Sequence, residues 1–281
     1  MPESGETPAV SLPLRAFRLM SVFFVFLAAL PVLAVLPLFG TRRRIARLRS
    51  LACLLVRALG IRVVHTGPRG GSALLVANHL SWLDGVALLV QQPIHLVSDA
   101  RVRAEPVLGP LLHRGGAIFL DRERPSALPA TVDEMADALR AGLPVGAFPE
   151  GARRCSSPGG PFAPAAFEAA IRAGVPVRPT LIEYRLPDGR ATSAAAFLGE
   201  ETLRDNVRRL VAMRGLEVHV RALPVLDPSR YRSRGALCRA AKAAIDRAAT
   251  PTPDACAAAN PRPVVPEKRL ITAEELISTS S

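Results

Sequence analysis

The chain has 281 residues, with 36 Lys or Arg against 24 Asp or Glu, a net +12 carried almost wholly by arginine. That length suits one sizeable α/β domain with appendages, since a domain of roughly 200 residues buries about 70% of its unfolded surface. Cys53, Cys155, Cys238 and Cys256 have no paired spacing, which argues against a disulfide framework or a zinc site; the basic excess comes with no nucleic-acid motif and no interleaved aromatics, which favours an anionic membrane surface over nucleic acid as partner.

Residues 1–11 are expected to be disordered, and residues 12–57 to form a membrane-associated helical segment. From Leu19 to Phe39 there is no charged residue, and a straight helix of that length spans about 30 Å, close to the hydrocarbon thickness of a bilayer. Pro31 and Pro37 interrupt it. Arg15 and Arg18 precede the run and Arg42, Arg43, Arg44 and Arg47 follow it, so the positive-inside bias does not choose an orientation. A segment that enters one leaflet and returns satisfies both flanks, and the stretch from Arg47 to Leu59 then lies at the interface. The alternative, a cleaved signal peptide, is disfavoured because the run exceeds a usual apolar core and arginines follow at once.

The next segment, Ser72 to Ala77, is a short apolar run that reads as a buried strand, and Val86 to Val90 continues as helix. Between them stands Asn78-His79-Leu80-Ser81-Trp82-Leu83-Asp84-Gly85. Five helical residues turn through about 500°, so His79 and Asp84 meet only if His79 lies in the turn and Asp84 in the first helical turn. There Asp84 holds one ring nitrogen as an N–H donor and leaves the other as a base. Ser81 and Asp84 also fit a capping box, which accounts for both with no chemistry.

Three further strands follow. Gly115 to Leu120 ends in Asp121 and Arg122; Leu143 to Phe148 ends in Pro149-Glu150-Gly151 and the arginines 153 and 154; Gly174 to Thr180 has the same character. Apolar strands that each run into a polar cluster suggest a central sheet, flanked by helices, whose strand ends line one site. His65 and His219 lie in apparent strands and His95 precedes another, all three structural, whereas His113 stands next to Arg114, just before the strand that ends in Asp121 and Arg122. No spacing suits a metal, and none is expected. Residues 58–249 form the catalytic domain and 250–281 a Pro/Ala-rich tail.

In order and wording, the NHxxxxD block, Ile118-Phe119-Leu120-Asp121-Arg122, Phe148-Pro149-Glu150-Gly151 and Val175-Pro176-Val177-x-Pro179 resemble the four motifs of the glycerolipid acyltransferase family typified by 1-acylglycerol-3-phosphate acyltransferase. The resemblance covers roughly residues 58 to 225. It implies that His79 takes the proton from a glycerol hydroxyl, that Asp84 orients it, and that the oxygen attacks the thioester of acyl-CoA or acyl carrier protein, with no cofactor. It also associates Arg122, Glu150, Gly151 and Arg153 with binding the phosphate-bearing acceptor, and a guanidinium fork suits phosphate. Without chemistry, Arg122 is a loop residue paired to Asp121 or Glu123.

The chain departs from that pattern where Ala152 and Arg154 replace the usual threonine and serine. A commonly basic position is missing from Pro161 to Phe167, and a common lysine from Val97 to Arg103, although Arg101 and Arg103 can supply charge. These changes fall on acceptor recognition and leave the His/Asp pair alone. The expectation is therefore a membrane-bound α/β acyltransferase with its catalytic domain on the cytoplasmic face, esterifying the free hydroxyl of a lysolipid, first 1-acylglycerol-3-phosphate and otherwise lyso-ornithine lipid or another lysophospholipid. The different-class alternatives are a hydrolase with Ser81 as nucleophile, which lacks the G-x-S-x-G elbow, and a catalytically silent lipid-binding protein.

Overall fold

The computed structural model describes residues 9–105, 108–121, 123–150, 161–196 and 201–250. Two helices come first, α1 (Leu12–Val35) and α2 (Thr41–Leu59). They are followed by β1 (Arg62–Thr66), β2 (Leu74–Ala77), α3 (Leu83–Gln91), β3 (His95–Asp99), α4 (Leu108–Gly115), β4 (Ile118–Leu120), α5 (Leu128–Arg140), β5 (Val145–Ala147), α6 (Ala165–Ala173), β6 (Val177–Arg185), α7 (Leu203–Ala212), β7 (Glu217–Ala222) and α8 (Arg234–Ala248).

The strands form one seven-stranded sheet in the order β1-β7-β6-β2-β5-β3-β4. All neighbouring pairs are parallel except β6 with β7. The C-terminal ends of β2, β3, β4 and β5 therefore lie along one edge, where open α/β sheets place their sites. β2 sits centrally between β5 and β6 and is buried on both faces. Its side chains alternate: Leu75 and Ala77 join a core with α2, α3 and α7, while Leu74 and Val76 join a second core with α5, α6 and α8. Truncating Leu74 or Leu75, each 0% exposed, to alanine would cost about 2–5 kcal/mol.

Several boundaries differ from those expected. The helix α1 runs through Pro31 and gives way only after Val35, to a short 3-10 turn (Leu36–Leu38) that holds Pro37. Gly115 closes α4 instead of opening a strand. Gly174, with φ +65°, caps α6, and β6 does not end at Thr180 but continues as buried strand to Arg185 because its pairing moves from β2 onto β7. Ala9 and Val10, expected to be disordered, pair with Met213 and Ala212. Residues 1–8 and 251–281, including the greater part of the expected tail, lie outside the described residues.

The N-terminal helices are part of the core as well as its covering. Val22 of α1 and Leu48, Ala52, Ala58 and Leu59 of α2 belong to the same cluster as Leu75. The two ends of α1 are both tied down: Arg18 donates to the carbonyls of Val211 and Met213, and Arg114 donates to the carbonyl of Leu33. Gly60 makes the first tie possible. It ends α2 in the left-handed region at φ +71°, and a Cβ there would fall 2.2 Å from the Arg18 guanidinium carbon. The opposite face of α1 exposes Leu12, Phe17, Met20, Phe23, Phe24, Leu27 and Leu30. Leu12–Leu38 is also long and apolar enough to cross a membrane.

Candidate active site

The strand β2 ends at Ala77 and delivers Asn78 and His79 to the edge of the sheet. Asn78 spans the gap to β6: its side-chain amide donates to the Ile182 carbonyl and accepts from the Ile182 N–H, both at 2.8 Å. Beyond it the chain turns, and α3 begins at Leu83, so Asp84 lies in the first helical turn and His79 in the preceding loop. That is the arrangement the five-residue spacing requires. The Nδ1 of His79 lies 2.9 Å from Asp84 Oδ2.

The same oxygen accepts the backbone N–H groups of Leu80 at 2.7 Å and Ser81 at 2.8 Å. The helix α3 takes Trp82 as its N-cap with no side-chain cap bond, and the Ser81 hydroxyl meets the Leu83 N–H at 3.4 Å and not that of Asp84, so of the expected capping box only the bond from the Ser81 N–H to Asp84 is made, to the same oxygen that faces His79. Because this oxygen only accepts, the proton of the pair resides on Nδ1, and in the neutral imidazole Nε2 is the nitrogen that keeps a free lone pair. Asp84 is fully buried, while the His79 side chain is 21% exposed. Among the described residues, Nε2 has no hydrogen-bond partner.

Three more groups fix this pair. Phe148, just after β5, stacks on the imidazole with centroids 4.3 Å apart and 24° between planes. Glu150 accepts the His79 backbone N–H at 3.1 Å. Burial pushes the Glu150 carboxyl above its ordinary range, opposed by that N–H and by the positive charge of Lys242 on α8. Finally, Tyr184 on β6 donates its hydroxyl to Asp84 Oδ1 at 2.5 Å. Burial and the Asp84 charge hold this phenol well above its ordinary range, so it remains a donor.

Of the expected site residues, the structure brings together His79, Asp84 and Glu150. Arg122, Gly151 and Arg153 lie outside the described residues, as does Cys155. Arg101, expected to supply charge, is held by Asp99 through bonds of 2.9 and 2.8 Å, and Arg103 lies over the Phe119 ring at 4.4 Å. His113 packs against the same ring with centroids 6.1 Å apart. His65, His95 and His219 bond to Gly67, Gly116 and Glu217, as structural histidines do. Ser81 is 2% exposed, and its hydroxyl accepts the Leu83 N–H at 3.4 Å.

Sequence reasoning did not single out Asn78, Phe148 or Tyr184. A signal existed for Tyr184, since a tyrosine on the inward-facing positions of a buried strand needs a partner for its hydroxyl.

Over 217 residues the chain is 32% identical to the lyso-ornithine lipid O-acyltransferase of Pseudomonas aeruginosa, an alignment that covers 77% of this chain and 81% of that one. The chain belongs to the acyltransferase family. The family model described as Acyltransferase matches residues 60–183 of this acyltransferase, from just before β1 to Glu183. It is also 30% identical over 181 residues to the 1-acyl-sn-glycerol-3-phosphate acyltransferase of Neisseria meningitidis, covering 64% of this chain and 70% of that one. The crystal structure of the 1-acyl-sn-glycerophosphate acyltransferase from Thermotoga maritima superposes with a TM-score of 0.59 at 18% identity, over 84% of this acyltransferase and 93% of that chain, and so shares its fold.

Proposed function

We propose that this acyltransferase moves a fatty acyl group from acyl-CoA or acyl carrier protein to the free hydroxyl of a lysolipid, with 1-acylglycerol-3-phosphate as the first acceptor. The observation that carries the reading is the His79–Asp84 pair, with Nε2 unpartnered among the described residues at the open edge of the sheet. Nε2 takes the hydroxyl proton as the oxygen attacks the thioester carbonyl, and Asp84 stabilises the imidazolium that forms. The C–S bond then breaks, and the leaving thiolate recovers the proton from His79. No acyl-enzyme is formed and no cofactor enters. Arg122, Gly151 and Arg153 are assigned to the acceptor headgroup by their motif positions, and Glu150 to holding the loop of His79.

A second acceptor, lyso-ornithine lipid, is favoured by the longer alignment with the Pseudomonas aeruginosa enzyme and by the loss of two hydroxyl donors at Ala152 and Arg154. A mass-spectrometric screen of purified protein with labelled acyl donors and both lysolipids separates the two. Esterification of lyso-ornithine lipid alone would remove the phosphate-bearing acceptor, and hydrolysis of donor without any acceptor product would remove acyl transfer altogether.

The exposed apolar face of α1 is assigned to the membrane, with the catalytic domain on the cytoplasmic side where the acyl donors are. Because both ends of α1 are fastened to the domain, the arginines at either flank stay with it, which supports a helix embedded from one side over one that spans.

A further inference from the structure

We propose that Tyr184 is a positioning residue for acyl transfer, one that references the Asp84 carboxylate to the sheet and thereby aims Nε2 of His79. The inference rests on the assignment of His79 and Asp84 as the working pair.

The two oxygens of Asp84 draw their donors from different parts of the fold. Oδ2 receives His79 Nδ1 and the N–H groups of Leu80 and Ser81, all within the loop that leads into α3. If that loop shifts or rocks, its three donors move with Asp84 and record nothing of the displacement. Oδ1 has a different partner. Among the described residues, Tyr184 alone reaches the carboxylate from another element, a strand one hundred positions along the chain. Both partners are buried, Tyr184 at 1% and Asp84 at 0% exposure, so neither can exchange the bond for bulk water.

Packing alone does not call for the hydroxyl. Tyr184 lies in the apolar cluster with Ile182, Leu83 and Leu186, where phenylalanine would fill nearly the same volume. Removing only the oxygen leaves Oδ1 buried without a donor, a state the carboxylate relieves by rotating about χ2, and rotation takes Oδ2 away from Nδ1. The other polar and charged groups around the pair do not replace it. Ser81 contacts the Tyr184 hydroxyl, Glu150 faces the backbone side of His79, Lys242 acts on Glu150 from α8, and Phe148 covers one face of the imidazole.

The test uses the full-length enzyme in detergent. Tyr184→Phe should lower kcat about tenfold, with KM for donor and acceptor each within about twofold, the signature of an interaction felt in the transition state. In an Asp84→Asn background the same change should lower kcat no further, because its effect passes through the carboxylate. The chain has two tyrosines, so fluorotyrosine incorporated into a Tyr231→Phe protein modifies position 184 alone and keeps the hydroxyl, with a ring hydrogen replaced by fluorine. As a stronger donor it draws charge from Asp84, and the acidic limb of the pH–kcat profile should move to lower pH.

An unchanged kcat in Tyr184→Phe with a lowered melting temperature would make the residue purely structural and overturn the proposal. Equal kcat losses in both backgrounds, or an unmoved limb in the fluorotyrosine protein, would do the same. If Tyr184→Phe does not fold, the fluorotyrosine protein carries the test. Normal turnover by His79→Ala would overturn the catalytic assignment itself, whereas an inactive His79→Ala beside a normal Tyr184→Phe overturns only the role of the tyrosine.

Discussion

Glu150 accepts the backbone N–H of His79 at 3.1 Å, so the glutamate of the third motif sits behind the histidine of the first. A carboxylate cannot itself attract a phosphate, whereas through this contact it ties the end of β5 to the loop after β2. Burial raises the Glu150 carboxyl above its ordinary range. The folded protein therefore binds this proton more tightly than the unfolded chain, and stability falls as pH rises from the ordinary glutamate range to the raised value.

Glu150→Gln should remove that slope while its amide oxygen still accepts the His79 N–H. Melting temperatures of the two proteins should draw apart in favour of the variant as pH rises above about 5. Parallel curves from pH 4 to 8 would show that Glu150 does not titrate with folding.

His79→Ala should lower turnover by about 10²–10⁴, the usual contribution of a positioned general base, with the fold retained. Rapid-quench mass spectrometry should find no acylated enzyme in either protein. An acyl group on Ser81 or Cys155 would establish a two-step mechanism.

Asp84→Asn should remove most of the same turnover and also about 1–3 kcal/mol of stability, because an amide nitrogen turned towards the Oδ2 site would meet three N–H donors. Denaturant unfolding measures the second effect. A loss confined to stability would leave the carboxylate as a cap alone.

Arg122→Ala and Arg153→Ala should each weaken use of a phosphate-bearing acceptor by about 1.5–3 kcal/mol in kcat/KM, the scale of a hydrogen bond to a charged group. Donor KM should change less. Equal use of phosphate-bearing and phosphate-free acceptors by the unaltered enzyme would favour the other lysolipid.

Membrane attachment should be weakened by charge on the outer face of α1 and not by salt. Phe17 and Phe24 are 68% and 56% exposed, so Phe17→Glu with Phe24→Glu should release folded enzyme into the supernatant. Deleting residues 1–45 is a poorer probe, because it removes Val22 and Ile45 from the core. Sedimentation of the double variant identical to that of the unaltered protein would show that another surface holds the bilayer.

The His79–Asp84 pairing was legible because it is local: strand, turn and first helical turn follow from patterning within fourteen residues, Ser72 to Gly85. The contact of Tyr184 with Asp84 was not, because it depends on β6 lying beside β2, a pairing between segments one hundred residues apart that local periodicity does not encode. The uncharged run of α1 was plain in the sequence, yet its two-sided role was hidden. Leucine and phenylalanine read alike whether they face lipid or protein, and only the third dimension separates Val22 from Phe23. Glu150 was found by its motif, but its contact with His79 was not, since the bond is to a backbone N–H, which no side-chain pattern reports.

The asparagine that precedes the histidine has a consequence for what can stand there. Its carboxamide has the donor and acceptor of a peptide unit, and by bonding both ways to Ile182 it serves as one more rung of the β2–β6 ladder after the backbone has turned away. Aspartate lacks the donor, leucine lacks both groups, and glutamine carries the amide one methylene too far. Any of them would let the sheet fray at the residue before His79, so position 78 is a splice between regular sheet and the loop that holds His79, and a loosened splice should appear as faster amide exchange at Ile182 before it appears as lost fold.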